Sequence, residues 1–217
     1  MKIYAHRGFS YIYPEASRAA YEAAIQAGAD GLECDIRLTR DGVPICFHDR
    51  DTTRIAGVKR VISKSDFAEL KALVDPLTLD ELLEMAQTHQ RELLIETKHP
   101  VRSGGRVEAA VLQRIAQAKL HSRIILISFS LIATLRLRRR HSEVGYVISR
   151  RWRAFFIPTK IVAVDIELFR RSRLLRRNLR GREIFLWTVN EPKDIPNLIQ
   201  WQVTGVITDR PDLGFRN

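Results

Sequence analysis

With 217 residues, 45% of them hydrophobic, the chain has apolar material for one sizeable core and is short for two domains. Its 36 Lys and Arg against 25 Asp and Glu leave a net charge of +11, which favours encounters with anions. That charge excludes none of phosphate esters, nucleic acid or anionic membrane, because it bears on association and solubility rather than on fold.

Short runs rich in Ile, Val and Leu alternate with stretches of helical period, the pattern of parallel strands joined by helices. The first run, Ile3 to Ala5, precedes a helix that Ser17 caps and that runs through Ala27 to stop at Gly28. Gly31 to Thr39 and Val43 to Phe47 follow, joined by Arg40-Asp41-Gly42. Asp-Gly predicts a two-residue type I′ hairpin turn, which makes this pair antiparallel and removes one run from the parallel count. The longest connection spans Asp49 to Glu92. Its helical patches, Ser65 to Val74 and Thr78 to His89, predict a small cap or an irregular first crossover, with Thr78 and Glu81 at capping-box spacing. Then come Leu93 to Lys98, Ile124 to Phe129, Val144 to Ser149, Ile161 to Glu167, Ile184 to Val189 and Gly205 to Thr208, with helical sequence between them. Eight parallel strands in this alternation predict an α/β fold, a (β/α)8 TIM barrel with a β-hairpin and a short helical insertion after the second strand. It is a single domain over 1–217, with 49–92 as the insertion. An open doubly wound sheet lacks its signature, since no Gly-x-Gly-x-x-Gly follows the first strand.

Catalytic groups of such a barrel sit at the C-terminal strand ends. His6 and Arg7 close the first strand, and Trp187 and Asn190 flank the end of the seventh. Glu33 and Asp35 on the second strand, and Glu96 and Lys98 on the next parallel one, are each two apart, so each pair aims to one face. A two-residue turn at Asp41-Gly42 places Arg40 opposite Val43 and Asp35 opposite His48, returning His48 to the carboxylates; a bulge would shift this register by one. Converging carboxylates without Cys ligands favour a hard divalent cation, Mg²⁺, Ca²⁺ or Mn²⁺, over zinc. Arg7 and Lys98 suit phosphate oxygens, and two histidines suit proton transfer near neutral pH. Together these parts describe phosphate-ester cleavage.

The stretches Ala5-His6-Arg7-Gly8, Pro14-Glu15, Gly28 to Asp35, Thr39 to Gly42, Phe47-His48-Asp49, Ile95 to Lys98, Ser128-Phe129, Trp187 to Asn190 and Ile207 to Pro211 span nearly the whole chain. In this order the sequence resembles the glycerophosphodiester phosphodiesterase family. The resemblance implies that Glu15, Glu33, Asp35 and Glu96 hold the cation and that His6 and His48 transfer protons. It further implies that Arg7 and Lys98 contact phosphate and that Trp187 lines the glycerol side. The implied reaction yields glycerol 3-phosphate and a free alcohol, by attack of the glycerol 2-hydroxyl to give a cyclic phosphate that water then opens; direct attack by water is compatible with the same residues. Where the family continues the Glu15 motif with Asn and Thr, this chain has Ala16 and Ser17, which removes an amide near the metal.

Cys34 and Cys46 lie in apolar strand-like runs, so no disulfide framework is expected and a reducing cytoplasm fits. With no signal-peptide stretch and no run near the ~20 apolar residues of a membrane span, a soluble cytoplasmic protein acting on a small anionic glycerophosphodiester is expected. A nearby alternative is lysophospholipase D-type cleavage of lysophospholipids. There the segment 150–156, Arg-Arg-Trp-Arg-Ala-Phe-Phe, offers an apolar path and a peripheral membrane contact. The duller role for that segment is a short amphipathic helix packing its aromatics on the barrel. A rival from another class is a non-catalytic phosphate or nucleic-acid binder, suggested by runs such as Arg136-Leu137-Arg138-Arg139-Arg140. Such a run on a helix is usually a solvated face; no nucleic-acid motif is evident, so no nucleic-acid partner is expected.

Overall fold

The structure, a computed structural model, describes residues 1–99, 104–118 and 121–213. The apolar runs form strands β1 (Lys2–His6), β2 (Gly31–Leu38), β3 (Pro44–Cys46), β4 (Glu92–Thr97), β5 (Ile124–Ser128), β6 (Val144–Ile148), β7 (Ile161–Asp165), β8 (Glu183–Trp187) and β9 (Gly205–Thr208). All but β3 are parallel. Because β1 pairs with both β2 and β9, these eight strands close into a barrel and leave no open edge among themselves. Between them lie α1 (Arg18–Gln26), α2 (Thr53–Ala56), α3 (Phe67–Val74), α4 (Leu79–Thr88), α5 (Arg106–Ala118), α6 (Leu131–Arg138), α7 (Ile166–Arg171), α8 (Arg173–Asn178) and α9 (Ile195–Gln200). Ser17 caps α1 by accepting the Ala20 N–H at 3.1 Å. Thr78 and Glu81 form the capping box that starts α4.

Strand parity sorts the side chains. Tyr4, Leu94, Ile125, Ile127, Val147, Ala163, Phe185 and Ile207 fill the barrel interior, while the alternate residues Ala5, Leu32, Cys34, Ile95 and Leu126 pack outward under the helices. Tyr4 and Phe185 meet edge to face at 5.4 Å between ring centroids. Each ring needs a glycine beside it: a Cβ at Gly31 would lie 2.5 Å from the Tyr4 ring, and one at Gly205 would lie 2.9 Å from that of Phe185. Burying such a ring stabilises the fold by about 1.5–3 kcal/mol. Cys34 and Cys46 are free and buried.

The hairpin departs from its expected register. The Thr39 N–H donates to the Val43 carbonyl at 3.1 Å, so the loop holds three residues, Arg40, Asp41 and Gly42. Gly42 takes the left-handed conformation (φ +87°) that closes a three-residue hairpin, and the Thr39 hydroxyl accepts the Val43 N–H at 2.9 Å. Leu38 therefore faces Pro44, and the Phe47 N–H reaches the Asp35 carbonyl at 2.8 Å. Asp35 stands opposite Phe47, not His48.

The connection from β6 to β7 holds only a short 3₁₀ helix, Arg151–Phe155. Ala154 and Ile157 pack inward, but Trp152, Phe155 and Phe156 face solvent, so its aromatics do not pack on the barrel as an amphipathic helix would. No helix among the described residues is long and apolar enough to cross a membrane.

Candidate active site

The strand register assembles the site at the C-terminal end of the barrel. His6 is the cross-strand partner of Glu33, and Asp35 that of Glu96, so four polar side chains from three adjacent strands share the interior face. Glu33, Asp35 and Glu96 are buried, and one oxygen from each lies within 4.8 Å of the other two. His6, Arg7, His48, Lys98, Phe129 and Trp187 join Glu33 and Glu96 around a cavity of about 80 Å³. Trp187 packs edge to face on Phe129 at 5.7 Å, and its buried Nε1 has no hydrogen-bond partner among the described residues.

Three acids this close and this dry cannot all stay charged unaided. Burial, followed by the charge of Asp35, pushes Glu33 up to about 7 and Glu96 up to about 8. Burial also opposes charge on Asp35, yet Lys98 and then Arg7 hold it down at about 2. Lys98 Nζ lies 3.1 Å from Asp35 Oδ1 and 3.0 Å from Glu96 Oε1. Arg7 Nε approaches Asp35 Oδ2 at 2.8 Å without hydrogen-bond geometry, which leaves that buried oxygen unsatisfied. Crowded carboxylates with an unsatisfied oxygen and no thiolate suit a hard divalent cation.

Glu15 stands apart from this cluster. Its carboxylate is gripped by Arg54, through Nη1 at 3.0 Å and Nη2 at 2.5 Å, and by Arg7 Nη1 at 3.3 Å. A chain of alternating charge thus runs from Asp35 through Arg7, Glu15 and Arg54 to Asp49.

Each histidine is backed by a carboxylate at Nδ1. His48 Nδ1 lies 2.7 Å from Asp49 Oδ1, and Asp49 Oδ2 accepts from Arg54 Nε at 2.6 Å. His6 Nδ1 lies 2.6 Å from Asp209 Oδ1. Asp209 is itself fixed by Asn190 Nδ2 at 2.6 Å and by the Ser10 hydroxyl at 2.9 Å. Asn190 is locked in turn because its Oδ1 accepts the Asp209 N–H at 2.9 Å. Both imidazoles therefore keep Nε2 for other chemistry. Burial works against protonated His6, but the Asp209 hydrogen bond and the Glu33 charge outweigh it and raise its pKa above the ordinary imidazole value. For His48 burial wins over Asp35, with Lys98 and Arg7 adding to it, and the pKa falls below that value.

The sequence reading missed Asp49 and Asp209 as imidazole partners, Asn190 as the brace of Asp209, and Arg54. Asp209 had a signal, since Thr208-Asp209 closes the last strand as His6-Arg7 closes the first. Arg54 had none, because α2 lies in the long connection with no periodic pattern.

A family model described as the glycerophosphoryl diester phosphodiesterase family matches residues 6–213. The chain belongs to this family. It is 32% identical to a Mycobacterium tuberculosis protein named probable glycerophosphodiester phosphodiesterase 1, covering 96% of this chain and 89% of that one. A glycerophosphodiester phosphodiesterase of Bacillus altitudinis is 28% identical over 97% of this chain and 95% of its own. Among solved structures, the glycerophosphodiester phosphodiesterase of Thermotoga maritima superimposes with a TM-score of 0.84 at 29% identity, covering 97% of this chain and 95% of that one. An Oleispira antarctica phosphodiesterase, solved with its product sn-glycerol-3-phosphate, superimposes with a TM-score of 0.88. At 23% identity, over 98% of this chain and 94% of that one, it speaks to the shared barrel.

If Asp209 orients His6 and stabilises its charged form, Asp209→Asn is expected to lower turnover on the order of 10²-fold with KM nearly unchanged. Steady-state kinetics check this; a rise in KM alone would make Asp209 a binding residue.

Proposed function

We propose that this family member hydrolyses glycerophosphodiesters to glycerol 3-phosphate and an alcohol, with a divalent cation at Glu33, Asp35 and Glu96 and with His48 and His6 as base and acid. The observation that carries this reading is convergence on one cavity of Glu33 and Glu96, with the buried Asp35 clustered beside them, two carboxylate-backed imidazoles, and the cations Arg7 and Lys98. Mg²⁺, Ca²⁺ or Mn²⁺ fits the oxygen donors, and when bound it neutralises a non-bridging phosphate oxygen. Lys98, which pairs with Asp35 and Glu96, and Arg7, which approaches Asp35, would supply positive charge to the remaining phosphate oxygens. His48, neutral near pH 7, takes the proton of the attacking hydroxyl through Nε2. His6, whose protonated form Asp209 favours, gives a proton to the leaving alcohol, and water then opens the cyclic phosphate to glycerol 3-phosphate with the roles of the two histidines exchanged. Trp187 and Phe129 line the glycerol side, where the unpartnered Trp187 Nε1 is a ready donor to a hydroxyl. Glu15, held by Arg54 and Arg7, keeps lone pairs with which it would serve as a fourth ligand.

This reading predicts how stability depends on pH. The folded-state pKa values of Glu33 and Glu96 lie above the unfolded value of about 4.3, so their contribution is full below that pH and is lost as pH rises through about 7 to 8. In chelator, the melting temperature is expected to fall by several degrees between about pH 6 and pH 9. Millimolar Mg²⁺ or Mn²⁺ should reverse the fall, because the ligands bind a cation deprotonated. A thermal-shift series with no cation effect at any pH would remove these acids as a cation site.

Product analysis tests the reaction. Glycerophosphocholine and glycerophosphoethanolamine, each with the three cations, are expected to release glycerol 3-phosphate. Choline release from lysophosphatidylcholine with soluble diesters inert would favour the lysolipid reading, for which the exposed Trp152, Phe155 and Phe156 speak. Salt-sensitive RNA binding with no turnover would instead support a non-catalytic binder.

A further inference from the structure

The net charge is not spread over the molecule. Of the 36 Lys and Arg, eleven lie in residues 149–160 and 168–182, which contain no Asp or Glu; the rest of the chain balances 25 cations against 25 acids. The whole excess of +11 thus sits in two stretches. These stretches meet in space, for the 3₁₀ helix Arg151–Phe155 packs on α8 and Arg182 donates to the Thr159 carbonyl. Arg170 and Arg171 are answered by Glu167. Arg150, Arg151, Arg173, Arg177 and Arg180 are exposed and have no ion pair among the described residues.

Large apolar side chains stand among these arginines. Trp152, Phe155 and Phe156 are 60%, 87% and 61% exposed, and Leu174 on α8 is 63% exposed. Arg153 anchors the turn that presents them, donating to the Phe129 carbonyl and stacking over the Trp152 ring at 5.1 Å. The patch is continuous with the mouth of the barrel, since Phe129 lines both the catalytic cavity and a neighbouring cleft walled by Ile132, Arg136 and Arg153.

We propose that the β6–β7 connection and α8 form a docking surface for an anionic lipid bilayer. Protruding aromatics ringed by unpaired arginines match the two layers of such a surface: the rings enter the headgroup boundary while the guanidiniums meet lipid phosphates. A nucleic-acid duplex would supply the phosphates but keep its base faces stacked away from Phe155 and Phe156. An ordinary protein partner would bury the rings but leave a local charge of this size without a counterpart. Docking by this face brings the catalytic mouth to the membrane, where glycerophosphate headgroups originate. That consequence rests on the reaction proposed above; the docking itself does not.

Flotation of the full chain with vesicles tests the proposal, comparing phosphatidylcholine alone with an equimolar mixture of phosphatidylcholine and phosphatidylglycerol. The wild type is expected to partition at least roughly tenfold more strongly onto the anionic vesicles, less so at high salt. The combined variant Trp152→Ala, Phe155→Ala, Phe156→Ala should lose about tenfold or more of that partition. Its melting temperature and its turnover of soluble glycerophosphocholine should stay unchanged. Arg150→Glu with Arg151→Glu should abolish the preference for anionic lipid and leave the melting temperature unchanged. Equal partition of wild type and the aromatic variant, or none by either, overturns the proposal. So does a dimer seen by sedimentation without vesicles and lost in the aromatic variant, or RNA binding at the same salt without vesicle binding. A failure of soluble turnover in the wild type would strike the reaction alone, since partition is read independently.

Discussion

Glu33→Ala and Asp35→Ala are each expected to lose cation affinity and turnover together, by at least roughly 10²-fold, and to part company on stability. Both residues belong to the buried cluster in which one oxygen from each acid lies within 4.8 Å of the others. Glu33, however, is an acid that the metal-free fold resists ionising, so removing it relieves strain near pH 8 in chelator. Asp35 is the acid that neutralises Lys98 and Arg7, and its removal leaves two buried cations without it. Calorimetry in chelator should therefore place Glu33→Ala at or above the wild type and Asp35→Ala below it. Isothermal titration with Mn²⁺ should find the site weakened in both. Wild-type turnover in either variant at ordinary cation concentration would take that residue out of the site.

His48→Ala is expected to keep cation binding and melting temperature but to lose turnover by about 10²- to 10⁴-fold, the range for loss of a group that moves a proton in the limiting step. His48→Gln should not rescue it, because an amide holds a hydrogen bond but exchanges no proton near neutral pH. The position of His48 makes this a clean test: its imidazole is part-exposed and anchored by Asp49, and its carbonyl is held by Arg37 Nε at 2.9 Å. Truncating the ring thus removes no core packing. Rescue by glutamine would mean that His48 positions the substrate, and a lowered melting temperature with intact turnover would make it structural.

The barrel is legible in the sequence because its strands carry a strict alternation that survives folding: Glu33 and Asp35 turn inward while Cys34 and Ile36 turn outward under the helices. The hairpin shows where a local rule runs out. Asp41-Gly42 suits a two-residue and a three-residue loop alike, and the choice is made by the Thr39 hydroxyl bonding to the Val43 N–H. His48 reaches the cavity although it does not oppose Asp35, because the chain leaves the sheet after Cys46. His48 is thus brought near the carboxylates by the path of the chain and not by strand pairing. Asp209 lies 203 residues from His6, and no spacing rule joins residues that only barrel closure brings together. The segment 150–156 shows the converse limit: composition alone does not say which side of a short turn its aromatics occupy, and tertiary packing turned them outward.

Phosphorus NMR of glycerophosphocholine incubated with chelated protein, before and after a divalent cation is added, shows whether a cation at these carboxylates and a pair of histidines cleave glycerophosphodiesters. The diester signal is expected to stay unchanged in chelator, to convert to glycerol 3-phosphate once Mg²⁺ or Ca²⁺ is supplied, and to show no conversion by Asp35→Ala under the same conditions. Equal turnover in chelator, or a product other than glycerol 3-phosphate, would contradict this chemistry.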